Sequence, residues 1–275
     1  MTQKHSSKHS HSPFAHKARK RFGQNFLQDQ NIIDRIVRNI NPKESDNLIE
    51  IGPGQGAITK QLIEACPQLQ VIELDRDLIP ILLAQFANYK QFKIHECDAL
   101  KFDFTSVIKP GQPLRIVGNL PYNISTPLIF HLLSYHSHIR DMHFMLQKEV
   151  VLRLVAQPGD KNYGRLSIMV QYYCQVEQLF GVPPECFNPA PKVDSAIVRL
   201  QPHASIPYVA DNIDHLGKLV NAAFQQRRKT LRNTLKHFID ADKIDDLPVD
   251  SRLRPENLSV NDFVQLSNIL NQKDH

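Results

Sequence analysis

An open, doubly wound α/β sheet followed by a smaller all-helical region is the fold that this 275-residue sequence predicts, on three observations. Short apolar stretches alternate with segments of helical period from residue 48 to about residue 155, the pattern of repeated βαβ units. The first stretch, Leu48-Ile49-Glu50-Ile51, runs into Gly52-Pro53-Gly54-Gln55-Gly56-Ala57 and then a helix from about Ile58 to Cys66, as nucleotide-binding α/β units begin. From Pro207 onward the pattern is helical, with no further clear strand.

Composition agrees with this division. With 41% hydrophobic and 22% charged residues the chain can bury a sizeable core, and its length suggests one large domain and a smaller one. The expected parts are a basic disordered tail over residues 1–20, a ligand-binding α/β domain over 21–204 and a helical domain over 205–275. A net charge of +5 leans toward a polyanionic partner. Cys66, Cys97, Cys174 and Cys186 are far apart and form no Cys-x-x-Cys pair, so reduced thiols are expected, with neither a disulfide framework nor a zinc site. No apolar run approaches a membrane span and no signal-peptide segment opens the chain. A soluble, cytoplasmic protein with no membrane partner is the expectation.

In chain order, residues 1–20 are rich in His, Ser and Lys and carry no acid, which suits a solvated tail able to touch phosphates. Its histidines, His5, His9, His11 and His16, have no cysteine or carboxylate company, so no metal site is expected. Lys20-Arg21-Phe22-Gly23-Gln24-Asn25-Phe26-Leu27 packs bases, aromatics and amides together. A helix over residues 31–40 follows, with Ile32, Ile33, Ile36, Val37 and Ile40 on one face and a stop at Asn41-Pro42. In the glycine turn, Gly52, Gly54 and Ala57 satisfy a loose dinucleotide fingerprint. Pro53, however, removes an N–H that a pyrophosphate would use, and Glu50 sets a carboxylate beside the turn. Both suit a ligand with a cationic end and no phosphates. The second strand, residues 70–74, ends in Glu73-Leu74-Asp75, where either carboxylate is spaced to bond ribose hydroxyls. A helix over 78–87 leads to a third strand near 92–95 and to Glu96-Cys97-Asp98, where a carboxylate could accept a proton from an adenine amine.

The fourth strand, residues 114–117, runs into Gly118 and stops at Asn119-Leu120-Pro121-Tyr122. An amide, a rigid turn and an aromatic ring thus meet at a strand's carboxyl end, where ligands of open α/β sheets sit. The grouping suits a flat, weakly nucleophilic amine such as N6 of adenine. The Asn119 side-chain oxygen and the Leu120 carbonyl can each accept one N–H bond and hold the lone pair toward an electrophile. Pro121 stiffens the turn and Tyr122 offers a stacking face. Next, Ser125 or Thr126 is placed to cap a helix running to about residue 135, with Pro127 in its first turn. A fifth strand over 142–146, a helix over 148–155 and strands over 176–182 and 196–200 complete the sheet. Between the last two lies a stiff loop, Pro183-Pro184-Glu185-Cys186-Phe187-Asn188-Pro189-Ala190-Pro191-Lys192-Val193-Asp194-Ser195, with Phe187 either a second stacking face or a buried anchor. In the helical region Leu216, Leu219, Val220, Ala223, Phe224, Leu231, Leu235 and Phe238 form an apolar stripe. Arg227, Arg228, Lys229, Arg232 and Lys236 form the opposing basic face of one helix, with no acid between His215 and Phe238, a surface suited to phosphates.

Taken in order, Gln24-Asn25-Phe26-Leu27, Glu50-Ile51-Gly52-Pro53-Gly54-Gln55-Gly56, Glu73-Leu74-Asp75, Asp98, Asn119-Leu120-Pro121-Tyr122 and Phe187 to Ser195 resemble the ribosomal RNA adenine N6-dimethyltransferase family. The resemblance covers nearly the whole chain from Arg21 onward and is strongest to the bacterial branch acting on two adjacent adenosines near the 3′ end of 16S rRNA. It implies a Rossmann-like class I methyltransferase sheet with a C-terminal helical domain, and S-adenosylmethionine as cofactor. By the same resemblance Asn25 and Leu27 lie against the cofactor, with Gly52 and Gly54 beneath it and Glu50 and Asn119 beside it. Glu73, rather than Asp75, holds the ribose and Asp98 the adenine amine. Asn119, Leu120, Pro121, Tyr122 and Phe187 form the catalytic set, and Lys20, Arg21, Arg227, Arg228, Lys229, Arg232 and Lys236 hold RNA. Leu120 departs from the commoner Asn-Pro-Pro-Tyr pattern of amino-methyltransferases, as is usual among RNA dimethylases. The implied partner is 16S rRNA within an assembling small subunit, bound by a monomer. Methylation of large-subunit (23S) rRNA, or a mainly non-catalytic role in ribosome assembly, are the alternatives.

Overall fold

The computed structural model describes residues 24–226, 229–236, 238 and 247–271. The strands among them are β1 (Phe26–Leu27), β2 (Asn47–Ile51), β3 (Gln70–Glu73), β4 (Lys93–Glu96), β5 (Leu114–Asn119), β6 (Ile139–Gln147), β7 (Cys174–Val182), β8 (Phe187–Asn188) and β9 (Ser195–Pro202). The α-helices are α1 (Gln30–Ile40), α2 (Thr59–Ala65), α3 (Ile79–Gln85), α4 (Ser125–Leu133), α5 (Lys148–Val155), α6 (Arg165–Tyr173), α7 (Ile213–Gln225), α8 (Leu231–Thr234) and α9 (Val260–Asn271).

Seven strands make one sheet in the order β4-β3-β2-β5-β6-β9-β7, and β1 pairs with β8 in a separate two-stranded ribbon. The first five run parallel, while β9 lies antiparallel between β6 and β7. From β2 the chain builds outward to β3 and β4, then returns to place β5 on the other side of β2. That reversal leaves a crevice outside the carboxyl ends of β2 and β5, where open α/β sheets bind ligands. β2 is buried at every position, as a strand covered by helices on both faces must be.

Side-chain alternation along the strands feeds two cores. Ile116, Met142, Phe144 and Val198 pack with Leu128, Ile129 and Leu132 of α4 and with Leu154, Leu166 and Val170 beyond. Val117, Met145 and Ile197 face the other way, onto Ile33, Ile36 and Ile40 of α1 and Leu62 and Ile63 of α2. α1 starts where the Asp29 carboxylate accepts the Ile32 N–H at 3.0 Å. It stops at Asn41, which takes up the left-handed conformation at φ 48°.

Three features differ from the sequence-based expectation. α6 was not foreseen: Leu166 and Val170 feed one core while Ile168, Met169 and Tyr172 feed another, so no apolar stripe marks it. The second of these cores joins Ala156, Tyr163 and α6 to α7 and α9. The apolar packing therefore runs across the boundary expected between residues 204 and 205. Ser125 does not cap α4 through its side chain, since its hydroxyl donates instead to the Tyr122 carbonyl at 3.2 Å. Finally, the expected basic helix is not continuous. α7 ends at Gln225, and α8 begins after an extended Thr230. The Leu231 and Arg232 N–H groups donate to the Leu253 and Ser251 carbonyls, at 2.9 and 3.0 Å, instead of closing helical turns. The spacing of Lys229, Arg232 and Lys236 along one helix face is thereby lost.

Cys66, Cys97, Cys174 and Cys186 are free thiols. Among the described residues no helix is long and apolar enough to cross a membrane. The expected tail over residues 1–20, with Lys20, and also Arg21, Arg227 and Arg228, lies outside the described residues.

Candidate active site

The crevice is made possible by a missing side chain. Ile51 of β2 pairs with Gly118 of β5, and a Cβ at Gly118 would lie 2.6 Å from the Ile51 carbonyl oxygen. Any larger residue would push the two strand ends apart. With glycine there, the Gly52 turn and Asn119 close on one another, and a cavity of about 350 Å³ opens above them. Asn25, Leu27, Glu50, Gly52, Gly54, Glu73, Asp98, Asn119, Leu120, Pro121, Tyr122 and Phe187 all line it. These are all the cofactor and catalytic candidates of the sequence, drawn from six separate stretches. Lys229, Arg232 and Lys236 do not line the cavity.

One half of the cavity is acidic. Glu50 is almost wholly buried, and its Oε2 accepts the Thr59 hydroxyl at 2.7 Å. Burial pushes its carboxyl up to about 7; the Thr59 bond works against that shift and the charge of Glu73 adds to it. The Glu73 carboxylate accepts the Asp75 N–H at 2.8 Å through Oε1 and the Gly54 N–H at 3.3 Å through Oε2. Burial raises its pKa also, against those backbone bonds. Asp75, the other candidate of this strand end, is off the cavity and accepts the Gln24 side-chain amide at 2.9 Å. Asp98 Oδ1 accepts the Leu100 N–H at 3.0 Å, which fixes the carboxylate at the wall.

No Lys, Arg or His lines this cavity among the described residues. Three carboxylates without a cation repel a pyrophosphate and attract a positively charged group. The site fits a nucleoside with a cationic end, for which Glu73 and Asp98 offer acceptors to hydroxyls and an amine. Leu27, Ile51, Ile72 and Leu74 supply the apolar walls. The Gly54 turn, at φ +58°, is covered by Phe26, whose ring would sit 3.2 Å from a Cβ at Gly54.

The other half is aromatic and amide-lined. The Asn119 amide nitrogen donates to the Asn25 carbonyl at 3.2 Å, which leaves Oδ1 as the acceptor end of the side chain. The Leu120 N–H donates to Met145, with the leucine side chain buried beneath the turn. The Tyr122 hydroxyl lies 3.1 Å from the Ser195 hydroxyl. Phe187 combines the two roles open to it in the sequence: it is buried against the core around Leu27 and is also part of the cavity wall. It is held there by the ribbon, where Leu27 pairs with Phe187 and Phe26 with Asn188. Sequence reasoning missed Thr59 and gave Ser195, the end of the Phe187-to-Ser195 motif, no role of its own, because a lone hydroxyl carries no signal of its partner.

A model of the ribosomal RNA adenine dimethylase family matches residues 15–272. The chain is 69% identical to a ribosomal RNA small subunit methyltransferase A of Saccharophagus degradans, over 93% of this chain and 95% of that one. It is 59% identical to a protein of the same name from Marinobacter nauticus, over 93% and 92% of the two chains. Among solved structures it resembles a dimethyladenosine transferase of Plasmodium falciparum, with a TM-score of 0.75, 30% identity and coverage of 90% and 98%. The 23S rRNA methyltransferase ErmE shares the fold, with a TM-score of 0.71 at 23% identity over 90% and 100% of the two chains. The chain therefore belongs to the ribosomal RNA adenine dimethylase family, enzymes whose methyl donor is S-adenosylmethionine.

Proposed function

We propose that this protein dimethylates N6 of two adjacent adenosines in the 3′-terminal hairpin of 16S rRNA during small-subunit assembly, acting as a monomer in the cytoplasm. The observation that carries the reading is the Asn119 side chain, which lines the cavity and whose nitrogen is committed to Asn25, leaving its oxygen to accept from a substrate amine. Support for the small subunit comes from the names of the relatives at 69% and 59% identity.

When bound, S-adenosylmethionine supplies an electrophilic methyl on a positively charged sulfur. Glu73 holds the ribose hydroxyls, Asp98 accepts from the adenine amine, and Asn25, Leu27, Gly52 and Gly54 wall the site. Glu50 offers a carboxylate to the cationic amino-acid end. An adenine swung out of its stack enters between Tyr122 and Phe187. The Asn119 oxygen and Leu120 carbonyl each accept one N6 hydrogen, drawing the lone pair out of ring conjugation and aiming it across the cavity. Tyr122 also presents a π face to the positive charge that develops on the amine. No residue needs to act as a strong base, because the alkylated amine is acidic and loses its proton to water. The second transfer uses the single remaining N–H after the amine turns. Lys229, Arg232 and Lys236, with Lys20, Arg21, Arg227 and Arg228, hold the RNA through phosphates.

Transfer of labelled methyl groups to unmethylated small ribosomal particles, followed by nucleoside analysis, tests this. N6,N6-dimethyladenosine confined to the two hairpin positions is the expected product, while label on large-subunit RNA would overturn the substrate. Asn119→Ala is expected to reduce transfer by about a hundredfold or more, with cofactor affinity nearly intact, since it removes an orienting contact made to the reacting atom. Unchanged transfer by that variant would remove Asn119 from the mechanism.

A further inference from the structure

Tyr122 is pinned at both ends by serines. Its carbonyl accepts the Ser125 hydroxyl at 3.2 Å, and its own hydroxyl meets Ser195 Oγ at 3.1 Å. Ser125 is only 2% exposed and Ser195 only 1%. Ser195 opens β9, and the residues that follow it, Ala196, Ile197 and Val198, are buried and apolar. A hydroxyl among them is costly unless it is paired, and Tyr122 is the side-chain partner it has.

The anchor is also tied into the sheet on both sides. Ser195 pairs with Gln147 of β6 on one side and with Val182 of β7 on the other. Just before it, the Asp194 carbonyl accepts the Lys148 N–H at 2.9 Å. Tyr122, by contrast, sits in a turn at the cavity mouth and is only half-buried. Left to itself, its ring could tilt about two side-chain torsions. A hydroxyl fixed between two strands removes that freedom.

We propose that Ser195 is a positioning residue of the reaction: its hydroxyl holds the Tyr122 ring at one tilt, so that the incoming adenine meets a stacking face already set. The inference rests on the reading of Tyr122 as the face that clamps the base. It assigns the phenol hydroxyl an anchoring role and no part in proton transfer. Phenylalanine at this position would stack equally well but would have nothing to grip. The gain is preorganisation, because a ring fixed before substrate arrives need not be ordered during the reaction.

A double-mutant cycle tests the proposal. Ser195→Ala and Tyr122→Phe are each expected to lower kcat about five- to tenfold, the kinetic equivalent of one neutral hydrogen bond. The KM for RNA and the cofactor Kd should hold within about twofold in both. Tm should hold within about 2 °C in Ser195→Ala, because alanine suits the apolar start of β9, whereas Tyr122→Phe should lose a few degrees by leaving the buried Ser195 hydroxyl unpaired. The combined variant should be no slower than either single one. Additive losses, a loss confined to KM or Tm, or no loss in either variant would each overturn the positioning role. A readout independent of turnover is the 13Cζ resonance of labelled tyrosine, assigned to Tyr122 by its disappearance in Tyr122→Phe. It should move in Ser195→Ala, and an unmoved resonance would overturn the inference. Absence of methyl transfer by the unaltered protein would instead count against the proposed function, with the resonance still deciding whether Ser195 holds the ring.

Discussion

The two ends of the parallel strands bury charge in opposite ways. At the amino end, Arg115 of β5 is almost fully buried and completely matched. Its guanidinium bonds Asp141 through Nε and Nη2, both at 3.0 Å, and Asp46 at 2.6 Å, with the Ile40 carbonyl at 2.6 Å. At the carboxyl end, four residues further along the same strand, the cavity collects Glu50, Glu73 and Asp98 with no cation in its lining among the described residues. Charge matched in place ties together α1, β5, β6 and the approach to β2. Charge left without a counter-ion is a binding site whose partner arrives from solution. On the proposed function, the difference separates the ions that hold the fold from those reserved for a ligand.

Breaking the matched end should have the largest effect. Arg115→Ala leaves the buried Asp141 without its cation and Asp46 with only the exposed Arg140 at 3.4 Å, and it frees two carbonyls. A loss of about 3–5 kcal/mol in urea denaturation is expected, with cofactor affinity per folded molecule retained. A loss below about 1 kcal/mol would mean that this network contributes no more than a surface pair does.

At the unmatched end the sign reverses. Glu50 in the folded protein has its pKa raised to about 7, above the unfolded value near 4.5. The fold therefore holds this proton more tightly than the open chain does. That stability is complete below about pH 4.5 and is lost as pH rises through 7. Glu50→Gln keeps an acceptor for Thr59 but carries no charge. It should stabilise the ligand-free protein by up to about 3 kcal/mol at pH 8 and by nothing at pH 4. The same change should weaken cofactor binding at pH 8, where the wild-type carboxylate is ionised. A variant that is both no more stable and no weaker in binding would dissolve the contrast between the two ends.

How much of this was legible in the sequence follows from the range of the interactions. The Gly52-to-Gly56 turn, the strand-end acids and Asn119 to Tyr122 announce themselves because each carries its chemistry within a few residues. Gly52 to Gln55, Glu73, Asp98 and Asn119 to Tyr122 do line one cavity, whereas Asp75 and Glu96 lie off it. Features set by a distant partner were invisible. The two-residue strand Phe26–Leu27 is too short for any periodicity and exists only because Phe187–Asn188 lies beside it. α6 escaped notice because two cores claim its opposite faces. The break between α7 and α8 depends on carbonyls at residues 251 and 253, some twenty residues away. Thr59 was missed, and Ser195 given no role of its own, for the same reason. Only the fold shows that Tyr122 and Glu50 are what they bond.

His143 sharpens the comparison with a smaller effect, because it is a titratable group at the matched end that has no match. It stands two residues beyond Asp141 on the same face of β6, opposite Val117 of β5 and Arg199 of β9. Its Nδ1 is 3.8 Å from Asp141 Oδ1, too far for a hydrogen bond, and neither ring nitrogen has a hydrogen-bond partner among the described residues. Burial pushes its pKa down to about 4, against the pull of Asp141 and with Arg115 and Arg199 adding to the depression; Glu177 acts weakly upward. The folded protein thus holds the ring neutral, while the unfolded chain takes a proton near pH 6.5. Its contribution is fully present above that pH and is lost as pH falls toward 4, about 2 kcal/mol of it by pH 5. His143→Leu should therefore flatten the stability profile between pH 7 and pH 5 by about that amount in urea denaturation. If His143 were instead an ion-pair partner of Asp141, the wild type would gain stability over this interval and the leucine variant would lose that gain, so the direction of the slope alone decides which kind of buried charge it is.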